Sequence, residues 1–136
     1  YDKGYLTKND LEVFCQNFPV PVFIDTKKTE LFSYPNVLFK INLREYNNLT
    51  VAPNPENLIV TMGEQGAKYM ESIYAPERVN VFDVVGAGDT FLAALAYAFL
   101  TYDDIAAAIS IANKASAIAV QHYGCYTLKE EDVAGL

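Results

Sequence analysis

The 136-residue sequence is poor in several of the side chains that usually mark a site. It holds one histidine, and its two cysteines, Cys15 and Cys125, stand far apart with no second pair. Neither a zinc-type spacing nor a disulfide framework can be built from them, so packing roles in a reducing cytoplasm are expected. His122, near the end of a long helical pattern, is expected to complement a helix dipole rather than to catalyse. Positive charge is scarce as well: 10 Lys and Arg against 17 Asp and Glu leave a net charge of -7, and the one adjacent basic pair is Lys27-Lys28. Binding a phosphate backbone or an anionic bilayer needs clustered cations, so neither nucleic acid nor membrane is an expected partner. No apolar run reaches the roughly 18 residues of a membrane span, and no secretory leader is read. An initiator Met is also missing from the opening YDKGYLT, which reads as a piece of something longer.

What is present is apolar: 51% of the residues are hydrophobic and 13% aromatic, enough for the core of one compact domain and too much for a disordered chain. Thr7 with Asp10 reads as a helix start, followed by a stripe of Leu6, Leu11, Val13 and Phe14 that Pro19 and Pro21 terminate. Val22 to Asp25 reads as a buried parallel strand delivering Asp25 to its C-terminal edge. Val37 to Ile41 and Leu58 to Met62 are further strands, and Asn42 opens a helix between them. Ala67 to Met70 and Ser72 to Tyr74 read as a hairpin. Leu92 to Leu100 is helical, and Asp103-Asp104 starts a helix apolar on two faces. Thr127 with Glu130 reads as a capping box for a short last helix. Strands alternating with helices predict an α/β protein with a mainly parallel sheet.

The segment Asp83-Val84-Val85-Gly86-Ala87-Gly88-Asp89-Thr90-Phe91 carries the strongest chemistry. Gly86 and Gly88 clear β-carbons from the main chain where a helix begins, and the unpaired N–H groups there make an anion hole. Asp89, in the first turn, is placed to take a proton from a hydroxyl that attacks a phosphoryl group. A plain tight turn with a dipole-complementing carboxylate accounts for the same spacing. No Gly-Lys-Ser/Thr follows, so this is not a Walker loop. Phe91 sits where a dinucleotide fingerprint needs its third glycine.

DVVGAGDTF resembles the C-terminal signature of the pfkB, or ribokinase-like, carbohydrate kinases, usually written DTxGAGDxF. Asp83, Gly86, Ala87, Gly88, Asp89, Thr90 and Phe91 agree with it, and Val84 replaces the usual Thr. Asn42-Leu43-Arg44-Glu45 is similar to the family's NxxE, although a capping box explains it equally. Thr61-Met62-Gly63-Glu64-Gln65-Gly66 is similar to its TxGxxG turn.

The resemblance implies a ribokinase-like three-layer sandwich. Residues 1–136 would be its C-terminal nucleotide-binding and catalytic portion, without the N-terminal sugar-binding and lid part. It implies ATP-dependent phosphorylation of a sugar or sugar phosphate, with Asp89 as base and Gly86, Ala87 and Gly88 as anion hole. Thr61, Gly63, Gly66 and Asn113 would border the nucleotide. Asn42 and Glu45 would support Mg2+ and phosphates, and a monovalent cation such as K+ would lie near Asp83 and Val85. Tyr1-Asp2-Lys3-Gly4, Ile24-Asp25-Thr26-Lys27 and Tyr123-Gly124-Cys125-Tyr126-Thr127 look most like the heptose-7-phosphate kinase type. The rival expectation is a non-catalytic nucleotide-binding or assembly fragment of the same fold. Either way, the uncovered sheet edge predicts self-association or pairing with the missing half.

Overall fold

A computed structural model describes residues 7–17 and 19–136. Leu6 and the Tyr1–Gly4 segment lie outside the described residues. The chain divides into two compact units, one running up to Met62 and including Lys68–Ser72, the other Gly63–Ala67 with Ile73–Leu136.

In the first unit Thr7 caps helix α1 (Lys8–Asn17), its backbone N–H donating to the Asp10 carboxylate at 2.8 Å while the Asp10 N–H donates back to Thr7 Oγ1 at 3.2 Å. The residues α1 turns to the core are Leu11 and Cys15, four apart, whereas Val13 is 50% and Phe14 47% exposed. The wide stripe expected from the sequence is therefore narrower, because a short helix over one layer buries only its i, i+4 seam. Strands β1 (Val22–Asp25), β2 (Val37–Asn42) and β3 (Leu58–Thr61) pair in parallel, with Asp25 opposite Lys40 and Asn42 opposite Thr61. β1 is half-buried rather than fully buried. Val37, Phe39 and Ile41 of β2 and Leu58 and Val60 of β3 pack with Cys15 and Leu31. By alternation, Leu38, Lys40 and Asn42 occupy the opposite face of β2. Phe39 and Ile41 are fully buried, each contributing about 1.5–3 kcal/mol of transfer free energy.

No helix fills the link from Thr26 to Asn36. The link is held instead by Leu31 N–H donating to the Val51 carbonyl (3.0 Å) and by Asn57, whose buried amide donates to the carbonyls of Tyr34 (2.8 Å) and Val37 (2.7 Å). Helix α2 (Leu43–Asn47) follows β2 directly. Strands β4 (Ala67–Tyr69) and β5 (Ser72–Tyr74) extend the sheet order to β1-β2-β3-β4-β5. A link as short as Met70-Glu71 permits only a hairpin.

In the second unit α3 (Ala87–Tyr102) buries Phe91, Ala94, Leu95 and Ala98 against α4 (Ile105–Ala119), which buries Ala108, Ile109, Ala112, Ala115 and Ala119. Small residues on both seams let the helices approach closely. The two aspartates between them divide their work. Asp103 ends α3 in a left-handed conformation (φ 51°), and Asp104 caps α4, its carboxylate accepting from Ala106 N–H (2.8 Å) and Ala107 N–H (3.1 Å).

Helix α5 (Glu130–Ala134) starts differently from the expected Thr127–Glu130 box: the Lys129 N–H donates to Asp132 (2.8 Å), and Tyr126 donates to the same carboxylate oxygen (3.0 Å), which moves the cap two residues on. Among the described residues no helix is long and apolar enough to cross a membrane.

Asp104→Ala is expected to cost about 1 kcal/mol of unfolding free energy by losing the cap. Asp103→Gly should gain about 0.5–1 kcal/mol by relieving the left-handed backbone. Urea denaturation of both variants, read as opposite shifts of the midpoint, checks the pair.

Candidate active site

The second unit builds its candidate site at the start of α3. Gly86 is the N-cap with φ +77°, and a β-carbon there would sit 2.8 Å from Cys125 Sγ. No side chain caps the helix. Ala87 N–H donates to the Val84 carbonyl (3.2 Å), and the first helical bond runs from Thr90 N–H to Gly86 O (2.9 Å). Gly88 and Asp89 lie between them, in the turn where helix geometry leaves amides without an intrahelical acceptor. Asp89 is exposed in that turn.

The turn is anchored from two sides. Ser116 Oγ–H of α4 donates to the Ala87 carbonyl (3.0 Å), and the N–H groups of Phe82 (2.8 Å) and Asp83 (3.2 Å) donate to the Val120 carbonyl. The Asp83 carboxylate accepts from Val85 N–H (3.0 Å) and from Gly124 N–H (2.9 Å), joining the segment before α3 to the loop after α4. Those bonds, Val85 first and Gly124 second, hold its pKa below the usual aspartate value. Val84 and Val85 themselves are exposed.

A second group forms around one carbonyl. Asn113, 6% exposed on α4, donates through Nδ2 to the Tyr74 carbonyl at 2.6 Å. Gly66 (φ +88°) lies so close that a β-carbon there would overlap Tyr74 O and come within 2.7 Å of Pro76 Cδ. Gly63, which also has positive φ, faces open space.

In the first unit Asn42 and Glu45 form a reciprocal capping box for α2. Asn42 Oδ1 accepts from Glu45 N–H and Glu45 Oε2 from Asn42 N–H, both at 2.9 Å. Thr61, opposite Asn42, donates its hydroxyl to Ile41 O at 3.4 Å. Asp25 stands at the strand edge as its position in VFID requires. Its partner was missed in the sequence: Lys40 Nζ donates to Asp25 Oδ2 at 2.7 Å, with the lysine side chain 5% exposed. The signal for it was the cation interrupting the apolar run of β2.

Of the remaining residues, Cys15 is in the core, where burial pushes its thiol pKa up. Cys125 is exposed rather than packed. His122 lies beyond α4 and stacks on Tyr126, with ring centroids 3.7 Å apart. Among the described residues no group of three or more His, Cys, Asp or Glu gathers.

A model of the pfkB family carbohydrate kinases matches residues 15–132. The chain belongs to that family. The bifunctional protein HldE of Campylobacter concisus is 32% identical over an alignment that covers 100% of this chain and 34% of that protein. The HldE of a Nitratiruptor species is 33% identical, with 98% and 33% covered. The chain thus spans about a third of the length of these curated relatives. Among solved structures, ribokinase from Thermotoga maritima superposes with a TM-score of 0.70 at 19% identity, covering 92% of this chain and 52% of that one. Fructokinase from Vibrio cholerae, solved with fructose, ADP and calcium, gives a TM-score of 0.54 at 27% identity over 64% of this chain and 35% of that one. The fold is ribokinase-like α/β.

Gly66→Ala is expected to destabilise by at least about 3 kcal/mol, since backbone must move. Gly63→Ala should cost only the left-handed penalty of about 1 kcal/mol; equal losses in urea titrations would contradict this geometry. Because the folded-state pKa of Asp83 is lowered, its stabilisation is present above the ordinary aspartate range of about 4 and is lost as pH falls through the folded value. Asp83→Asn is therefore expected to lower the melting temperature at pH 7 and to differ less from the parent at pH 3.

Proposed function

We propose that this chain carries the phosphoryl-transfer half of an ATP-dependent sugar kinase. The observation that carries the reading is Asp89 exposed in the first turn of α3, behind a left-handed Gly86 and beside amides that the helix leaves unpaired. A sugar hydroxyl brought to Asp89 gives its proton to the carboxylate as its oxygen bonds to the γ-phosphorus. The bond from that phosphorus to the ADP oxygen breaks in the same displacement. Negative charge on the transferring group then faces the N–H groups of the Gly86–Asp89 turn, in which Ala87 is held by Ser116 and Val84.

Asn113 and Gly66, gathered at Tyr74, together with Gly63 and Thr61, are assigned to the nucleotide border. Asn42 and Glu45 are assigned to Mg2+ and phosphate. The capping box spends Glu45 Oε2 and leaves the other carboxylate oxygen for this task. One carboxylate suits Mg2+, which keeps waters and phosphates as its other ligands. When bound, that ion neutralises charge on the phosphates. Asp83 and Val85 are assigned to a monovalent cation, held by main-chain carbonyls because the Asp83 side chain is engaged with Val85 and Gly124.

The heptose-7-phosphate type of acceptor is favoured, since HldE proteins align over essentially the whole chain. Sugar contacts beyond Asp89 are assigned to the part of those longer relatives that this chain does not span. Tyr97, Leu100 and Tyr102, exposed on α3, are apolar surface available for pairing with it or for self-association. Two free thiols fit a reducing cytoplasm.

Asp89→Asn in a full-length parent protein is expected to leave the fold intact and to lower kcat about 10²–10⁴-fold, because an amide cannot take the proton. A coupled ADP-release assay with a heptose 7-phosphate reads this, and turnover near that of the parent would overturn the assignment.

A further inference from the structure

Helix α4 carries two serines, and they use their hydroxyls differently. Ser110 Oγ–H donates to the Ala106 carbonyl four residues back (3.0 Å), the usual bond of a serine inside a helix. Ser116, later on the same helix, turns its hydroxyl away from α4 and onto the Ala87 carbonyl of α3 (3.0 Å). A hydroxyl has a single proton to give. Helix geometry already supplies the Ala87 carbonyl with a donor four residues on, so α3 does not need the serine to close its first turn.

The Ala87 carbonyl and the Gly88 N–H are the two ends of one planar trans peptide and point opposite ways. Fixing the carbonyl on α4 therefore fixes the direction of the N–H, which helix geometry points out of the N-terminus of α3. Among the described residues the Gly88 N–H meets no acceptor. A donor on the carbonyl also polarises the peptide, so the N–H at its other end becomes a stronger donor, by about 10–30% per bond in hydrogen-bond chains. Gly88 and Ser116 are both half-buried, where such polarisation is less screened by water.

We infer that Ser116 is a positioning residue for phosphoryl transfer: its hydroxyl, bound to the Ala87 carbonyl, orients and strengthens the Gly88 N–H as a donor to the transferring phosphoryl group. The inference rests on the kinase reading and adds to it a residue of α4 that does not touch the substrates. Removing a whole donor of this kind costs about 10²–10³ in rate, and 10–30% of that barrier is a factor of about 2–8. Because the negative charge is met in the transition state, the effect falls on kcat and spares KM.

The test uses a full-length parent protein and its variants Ser116→Ala, Ser116→Thr and Ser110→Ala. Coupled ADP release with a heptose 7-phosphate gives kcat and KM for ATP, and amide NMR on protein isotopically labelled at glycine gives the Gly88 signal without substrates. Ser116→Ala is expected to lower kcat about 2–8-fold at unchanged KM and to move the Gly88 amide proton upfield. Ser116→Thr, which keeps the hydroxyl, restores both, and Ser110→Ala changes neither. A Ser116→Ala variant that melts lower but keeps the parent's kcat and Gly88 signal would show a bond that only joins two helices, and would overturn the inference. A lower kcat with the Gly88 signal unmoved overturns it too. The Gly88 signal needs no turnover, so the kinase reading fails separately, if the parent protein releases no ADP with any sugar or if Asp89→Asn keeps its turnover.

Discussion

At Gly86 the chain turns into α3 through a left-handed backbone, with the sulfur of Cys125 2.8 Å from where a β-carbon would sit. Most of what the second unit presents depends on that turn. No side chain caps the helix start, and only glycine takes φ +77° there without placing an atom against Cys125. The same approach brings Asp83 between two N–H groups, so the carboxylate acts as a staple rather than as a titrating group near neutrality.

Polar groups perform most of the positioning that the apolar core cannot. Leu95, Ala98, Ala112 and Ala115 bring α3 and α4 together without setting which residue heads the helix. Ser116, reaching the Ala87 carbonyl, does set it. Likewise Asn57 ties the loop before β2 to the start of β3 through two carbonyls, and Asn113 ties α4 to the end of β5. Among the described residues, every buried side-chain nitrogen or oxygen has a partner. A buried amide left unpaired would cost about 1–3 kcal/mol, so these bonds constrain the geometry more than they add to stability.

The first unit shows the complementary economy of a parallel sheet. One face of β2 is wholly apolar and packs under α1, while the other carries Lys40 and ends on Asn42. Asn42 both terminates the strand and opens α2, because its amide oxygen accepts from the Glu45 N–H in the first turn of the helix while the Glu45 carboxylate returns the bond to the Asn42 N–H. That one box explains the NxxE spacing as architecture, and it engages the Asn42 amide oxygen and one of the two Glu45 carboxylate oxygens.

Element order, most element boundaries and the motif positions followed from the sequence alone, because they rest on local rules: strand runs broken by glycine and proline, an Asp or Thr ahead of a helix, and glycines where the backbone must turn left-handed. The GAGD turn was legible for the same reason. What periodicity could not decide was which of several apolar residues on α1 face inward, since burial depends on the layer beneath the helix. Nor could local rules place the cap of α5, which Tyr126 moved by binding Asp132. The Asp25–Lys40 pair and the Asp83–Gly124 bond join residues far apart in the chain. Register between strands and the return of the chain after α4 decide which charges meet, and only tertiary structure contains that information.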